Sequence, residues 1–290
     1  TNVSDSEFVF VRDVTRSIQY ASIQDEWHFL NEWTLVSGVR YDVYSDFGST
    51  TNPRVALAWK PHKMSTIKLV YGEAFRAPSF SEQYLQHNPI SLGNPNLEPE
   101  TIATYEASVY LDLAENLSAS LTLFKYQAKQ LIDFATDENA TTRTAQNFGQ
   151  QSGNGFEFEA SWAPTNTLTV KTTLSQQHAK RGLTNEDVPN APRRLASIIG
   201  NWRPTPNWYM NAYINHVGDR VRQESDTRKP VEDYTLLNLG LGRKGDIFDI
   251  SFAVRNATNT NAREPSGMFI PDDYPLESRS YWVEISYTFR

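Results

Sequence analysis

The chain has no cysteine, and its 290 residues contain no apolar run of the 18 or more that a membrane helix needs. Without cysteine there is no disulfide framework, no thiolate nucleophile and no thiolate metal site. The missing apolar run excludes a transmembrane helix but not a membrane, because barrel strands carry their hydrophobicity in alternation. A negative mean hydropathy is therefore no mark of a soluble protein. Basic excess is lacking too: the net charge is −7, without the positive footprint of a nucleic-acid binder. Catalytic signatures are also missing. There is no GxSxG and no HExxH, and the five histidines are scattered, so no enzyme reading is supported. No initiator methionine or signal segment stands at TNVSDSEF, which suggests a mature chain or a fragment.

What the sequence has instead is period two. In the terminal stretch Tyr281, Val283, Ile285, Tyr287 and Phe289 share one face, and Ser280, Glu284, Ser286 and Thr288 share the other, with Trp282 the exception. Residues 33–45 set Trp33, Leu35, Val39, Tyr41 and Val43 against Thr34, Gly38, Arg40 and Asp42. Phe156, Phe158, Ala160 and Trp162 oppose Glu157, Glu159 and Ser161 in the same way. About thirteen such strands are expected, over 16–29, 33–45, 51–60, 64–74, 100–113, 116–132, 152–163, 167–178, 193–203, 207–221, 233–243, 247–256 and 279–289. Many match the roughly 9 to 11 residues of a tilted membrane strand. No segment shows a helical period.

The connections alternate in length. Short turns are expected at 30–32, 60–63, 114–115, 163–166, 203–206 and 244–246, and long loops at 75–99, 133–151, 179–192, 222–232 and 257–278. With the last strand ending in the periplasm, every short turn is expected on the periplasmic side without exception, as in bacterial barrels. Six of the seven tryptophans lie beside short turns, where an interfacial girdle belongs, although Trp202 and Trp282 break parity and are expected to face inward. Thirteen is odd while single-chain bacterial barrels are even, so further strands are expected before Thr1.

Two motifs flank one long loop: YGEAFRAPSFSEQY at 71–84 and GNPNLEPETIATYEASV at 93–109. Supporting stretches are QDEWHF at 24–29, VPNAPRRLASIIGNW at 188–202 and DISFAVRNATN at 249–259. In this order they resemble the C-terminal part of a TonB-dependent outer-membrane receptor, and the resemblance covers nearly the whole chain. It implies an all-β fold, the last thirteen or so strands of a 22-stranded antiparallel transmembrane barrel. The N-terminal plug, which carries the TonB contact, and the early strands would lie outside residues 1–290. The terminal Arg290 departs from the family's usual closing Phe.

The resemblance further implies an outer-membrane importer of a scarce ligand, a ferric siderophore before haem or cobalamin, with TonB acting through the plug and no resident cofactor. Haem receptors resemble this layout with a ligating histidine in the loop, which points to His87. Tyr84 and Arg76 are candidates for contact with an anionic chelate. The pairs Glu186 and Asp187, and Asp272 and Asp273, have oxygens for Ca²⁺ but lack the spacing of a defined calcium loop. Arg40, Asp42, Lys68, Glu106, Asp112, Glu157 and Glu159 fall on the lumen parity and read as a hydrated wall. A passive porin or adhesin barrel is the rival from another class, and a soluble sandwich or propeller a third reading.

Overall fold

The computed structural model describes residues 10–288 except 139, 140, 183 and 268. Its strands are β1 (Ile18–Leu30), β2 (Trp33–Tyr44), β3 (Gly48–His62), β4 (Ser65–Arg76), β5 (Ser91–Leu92), β6 (Glu100–Ala114), β7 (Leu117–Thr136), β8 (Arg143–Thr165), β9 (Leu168–Arg181), β10 (Pro192–Thr205), β11 (Trp208–Arg220), β12 (Tyr234–Arg243), β13 (Phe248–Arg255), β14 (Arg263–Glu264), β15 (Tyr274–Pro275) and β16 (Ser280–Tyr287). One short helix, α1 (Phe80–Tyr84), precedes β5. Thirteen strands follow one another in a single antiparallel sheet in chain order, from β1 to β13 and then β16, with β5 attached to β8 and with β14 and β15 forming a separate hairpin. The expected strands are all present. Phe289 and Arg290 lie outside the described residues, so the last strand is seen to Tyr287.

The register carries the alternation across the whole sheet. One line of partners runs Trp33, Trp59, Ile67, Val109, Leu121, Phe158, Leu174 and Ala196. The opposite face presents Lys68, Ser108, Thr122 and Glu157. The apolar face is the uncovered one: Ile23, Val283 and Ile285 are 72, 66 and 65% exposed. The buried apolar residues described, Leu97, Ala128, Ala145, Val217, Val231, Tyr234 and Ala262, lie at the sheet's loop end. A soluble sandwich would bury one face of each sheet; here the apolar face needs another solvent.

Tryptophans mark the turn end. Trp33 and Trp59 stack with centroids 5.1 Å apart, and Trp27 sits 5.1 Å from Phe29. Trp282 pairs with Ala253 on the polar face, under the Arg255 guanidinium at 4.6 Å. Trp202 does not face inward as parity within its strand suggested. It pairs with Leu168 and Met210 and belongs to the apolar face, on the same parity as Ile198.

Two further expectations change. Residues 45–47 join β2 to β3 at the loop end, so one short turn does lie among the long loops. Loop 133–151 shrinks to 137–142, because β7 and β8 continue as a hairpin beyond the apolar band. Pro53 is tolerated inside β3 because pairing with β4 starts only at Arg54, leaving the outer part of β3 bonded on one side.

Close packing on the polar face depends on Gly155, where a Cβ would stand 2.2 Å from the Gln176 carbonyl oxygen and 2.8 Å from Phe124 Cζ. Gly200, on the apolar face, has nothing within 4 Å of that position. Gly155→Ala should destabilise the folded barrel by about 1–3 kcal/mol through overpacking. Gly200→Ala should change it by less than about 0.5 kcal/mol. The urea midpoint of the folded band on unheated gels measures both, and equal effects would reject this account of Gly155.

Candidate functional site

Residues 77–99 form a loop closed at its base by paired strand residues. Arg76 ends β4 and Glu100 begins β6 directly opposite. The Arg76 guanidinium grips Glu100 through Nε and Nη2 at 2.7 and 2.6 Å, and Glu82 through Nη1 and Nη2 at 3.0 Å each. Ser79 caps α1: its Oγ accepts from the Glu82 N–H at 3.2 Å, while Glu82 Oε2 accepts from the Ser79 N–H at 2.7 Å. Partial burial pushes the Glu82 carboxyl up, but hydrogen bonds from Arg76 and Ser79 outweigh it and leave the group below its ordinary range.

The second motif is stapled to the neighbouring hairpin. Asn94 donates to the Ala145 carbonyl at 3.1 Å, and its own side-chain oxygen accepts from the Asn96 N–H at 2.9 Å in an Asx turn. Asn147 accepts from the Glu98 N–H at 2.8 Å and donates back to the Glu98 carbonyl at 2.9 Å. Leu97 is buried beneath these bonds. Gly93 passes so close to the end of α1 that a Cβ would lie 2.6 Å from the Leu85 nitrogen.

Residues 10–17 run across the same loop. Arg16 donates to Asp46 Oδ2, to the Pro78 carbonyl and to Gln83 Oε1, each at 2.8 Å, and lies 4.8 Å from the Phe80 ring and 5.4 Å from the Phe47 ring. Val11 bridges Leu85, and Arg12 covers the Tyr84 ring at 4.8 Å. Three segments far apart in sequence therefore meet at one guanidinium. Asp46 Oδ1 and Gln83 Nε2 are buried there without a hydrogen-bond partner among the described residues.

A second block joins the loops 221–233 and 256–279. Arg222 binds Asp273 through Nη1 and Nη2 at 2.9 and 2.5 Å, and Arg228 binds Asp226, the Ser266 hydroxyl and the Ile270 carbonyl. Arg220, its side chain fully buried, donates to the Arg263 and Glu232 carbonyls and lies over the Tyr234 ring at 4.9 Å. The Arg228 hydrogen bonds hold the Asp226 carboxyl down at about 2.

The candidate ligand residues occupy different situations within the first block. His87 is exposed, has the positive φ of 56°, and forms no hydrogen bond or ion pair among the described residues. Tyr84 is half-buried at the end of α1, one face of its ring taken by Arg12. Arg76 directs four bonds to two carboxylates, so a chelate would have to displace one of them. Of the carboxylates considered for Ca²⁺, Asp187 is engaged by Arg193 and Asp273 by Arg222, and no metal-holding cluster exists among the described residues. Sequence reasoning missed α1, although Ser79 followed by Glu82 is a capping-box signal. It also missed Arg16, whose partners 30 to 67 residues away leave no local trace.

Removing the Arg16 side chain leaves Asp46 nearly buried and unpaired. Arg16→Ala should cost the loop on the order of 3 kcal/mol of local stability, read as faster amide exchange over residues 79–93 with strands β10 to β12 unchanged; uniform acceleration would reject the local role. The second block makes a pH prediction. A carboxyl depressed to about 2 contributes stability above its ordinary range, and that contribution disappears as pH falls through about 2. Amide exchange over residues 222–232, corrected for its intrinsic pH dependence, should stay protected near pH 4 and lose protection near pH 2; lost protection already at pH 4 would contradict the ion-pair account.

Comparison with known proteins matches this architecture. The family profile described as TonB dependent receptor-like, beta-barrel, matches residues 2–257. The vitamin B12 transporter BtuB of Vibrio cholerae is 28% identical over 99% of the chain and 44% of its own length. The iron-regulated outer membrane virulence protein of the same organism is 24% identical over 92% of the chain and 44% of its own length. Among solved structures, the siderophore receptor PirA of Acinetobacter baumannii superposes with a TM-score of 0.78 at 20% identity, over 94% of this chain and 46% of that one. At this identity the superposition shows the fold. The chain thus spans somewhat under half the length of the relatives it matches. Family members are outer-membrane transport proteins without enzymatic activity, in keeping with the motif survey. The thirteen-stranded sheet, its apolar outer face and the profile match together identify the chain as a member of the TonB-dependent receptor β-barrel family of the Gram-negative outer membrane.

Proposed function

We propose that the whole protein imports a large, scarce ligand through the outer membrane with energy delivered by TonB, a ferric siderophore being the first ligand class. In this reading a plug that contacts TonB and the strands completing a barrel of 22 belong to the rest of the protein. The observation that carries the proposal is the long loop 77–99, fixed at the rim by Arg76, Arg16 and Asn147 rather than left as a floppy connection. A ligand read at the rim needs such a preorganised surface. Tyr84 and His87 are its proposed contacts, and Arg76 supports the loop at its base. A passive porin or adhesin has no need of this scaffold, and the family membership weighs against both.

Cobalamin is the second reading, favoured by the similarity to a vitamin B12 transporter over 99% of the chain. Titration of the full-length receptor with ferric enterobactin, cyanocobalamin and haemin separates the ligand classes. Sub-micromolar binding of the ferric chelate is expected, with Tyr84→Ala and His87→Ala each weakening it about tenfold, the usual effect of truncating a contact worth about 1.4 kcal/mol. Tight binding of cyanocobalamin alone would select the second reading. Haemin binding abolished by His87→Ala would select haem. A receptor that binds none of the three would overturn the importer proposal.

A further inference from the structure

The lipid-facing surface of the sheet changes character in one sector, strands β7 to β10. Register places Lys125 opposite Tyr105 and Asn154, Lys129 opposite Thr101, Lys180 opposite Ser152, and Arg194 opposite Gln176. All four share the face of Leu123, Phe156, Leu174 and Ile198, and all four are exposed. Over the paired rungs that reach these residues, that face of β7 to β10 carries no Asp or Glu. For a chain with 34 acidic and 27 basic residues, this is a local reversal of sign.

Their height is set by strand length. Counted from the inner, turn-proximal end of each strand, Lys129 and Lys180 are each thirteenth, Arg194 twelfth and Lys125 ninth. A tilted strand crosses the hydrocarbon in about 9 to 11 residues. Lys129, Lys180 and Arg194 therefore emerge just outside the apolar layer, at the outer headgroups, and Lys125, lower on the same face, can extend its ammonium to the edge of that layer. A lysine facing hydrocarbon is costly, whereas at the headgroups the cost falls nearly to zero. Arg194 makes only long contacts, 3.8 Å to Asp219 and 3.6 Å to Asp233. The three lysines have no ion pair among the described residues. Strands β7 and β9 are two strand spacings apart, about 10 Å, so their ammoniums reach two anionic groups on one headgroup.

We propose that Lys125, Lys129, Lys180 and Arg194 form a binding site for the phosphates of an outer-leaflet lipid on the outer wall of the barrel. The site is independent of the imported ligand, and it rests on the outer-membrane placement alone.

The test uses the full-length receptor in nanodiscs of neutral lipid supplemented with lipid A carrying two phosphates, with the same lipid after removal of both phosphates, or with inorganic phosphate alone. Native mass spectrometry counts retained lipid, and unheated gel mobility confirms folding. Wild-type receptor should retain the bisphosphorylated lipid, and Lys129→Gln combined with Lys180→Gln should reduce retention about thirtyfold, the effect expected for two cations lost near an anionic surface. Lys171→Gln, on the polar face, should leave retention unchanged. Equal retention by the folded double variant, or equal retention of the dephosphorylated lipid, would overturn the proposal. Binding of inorganic phosphate that depends on the same lysines, without lipid retention, would show a free-anion site instead and also overturn it.

Discussion

A backbone inside hydrocarbon has no water to bond, so each amide must find its partner in the protein, and for strands that means an unbroken ladder. The antiparallel path from β1 to β16 is that ladder, and the two faces follow from it. Once every strand is bonded to its neighbours, side chains can point only outward or inward, and the register keeps apolar beside apolar through eight consecutive strands. Gly155 shows how tightly inward positions are shared: a neighbouring carbonyl and a phenylalanine ring occupy the space its side chain would need.

Beyond the bilayer the constraint is relaxed and a different one takes over. Water competes for every loop amide, so a loop keeps one conformation only where side chains hold it. Here arginines do most of that holding. An exposed ion pair contributes little, but Arg222 and Asp273 are 9 and 14% exposed at the side chain, and Arg16 and Asp46 are 14 and 9% exposed. At that burial a planar guanidinium bonding to several carbonyls and carboxylates outweighs the loss of two freely hydrated charges, because few of its donors are left unmet. The result is two braced blocks on the rim, one built on loop 77–99 and one on loops 221–233 and 256–279.

This division explains what could be read in advance. The strands were legible because period two repeats wherever lipid lies on one side and water on the other. Residues 143–151 were taken for loop because above the bilayer both faces are wet and the alternation vanishes, as RTAQNFGQQ shows. Trp202 was assigned inward from its own strand, although its partners Leu168 and Met210 settle the face. Helix α1, with five residues, is too short to display a 3.6-residue period, and only the capping residues announce it. The loop between the two motifs was legible because Pro78, Pro89, Pro95 and Pro99 cannot donate to a strand ladder. The Arg16 junction was not, since contacts between residues 16, 46 and 83 arise from strand order rather than from any local pattern.

The position of Arg76 bears on what such motifs can say about ligands. It bonds Glu100 across the first rung of the loop and Glu82 within α1, so the residue that most readily marks the motif holds the loop's two ends and its helix together. A loop of any binding preference needs that closure. The same logic applies to Asn94 and Asn147, whose bonds run to backbone and therefore tie the loop down without reading a substrate. Residues engaged in fixing a scaffold have their polar atoms already committed, so they hold the loop whatever it displays. On the proposed function, discrimination between ligands falls to side chains that the scaffold displays without using, and His87 and Ile90, both exposed in this loop, are of that kind.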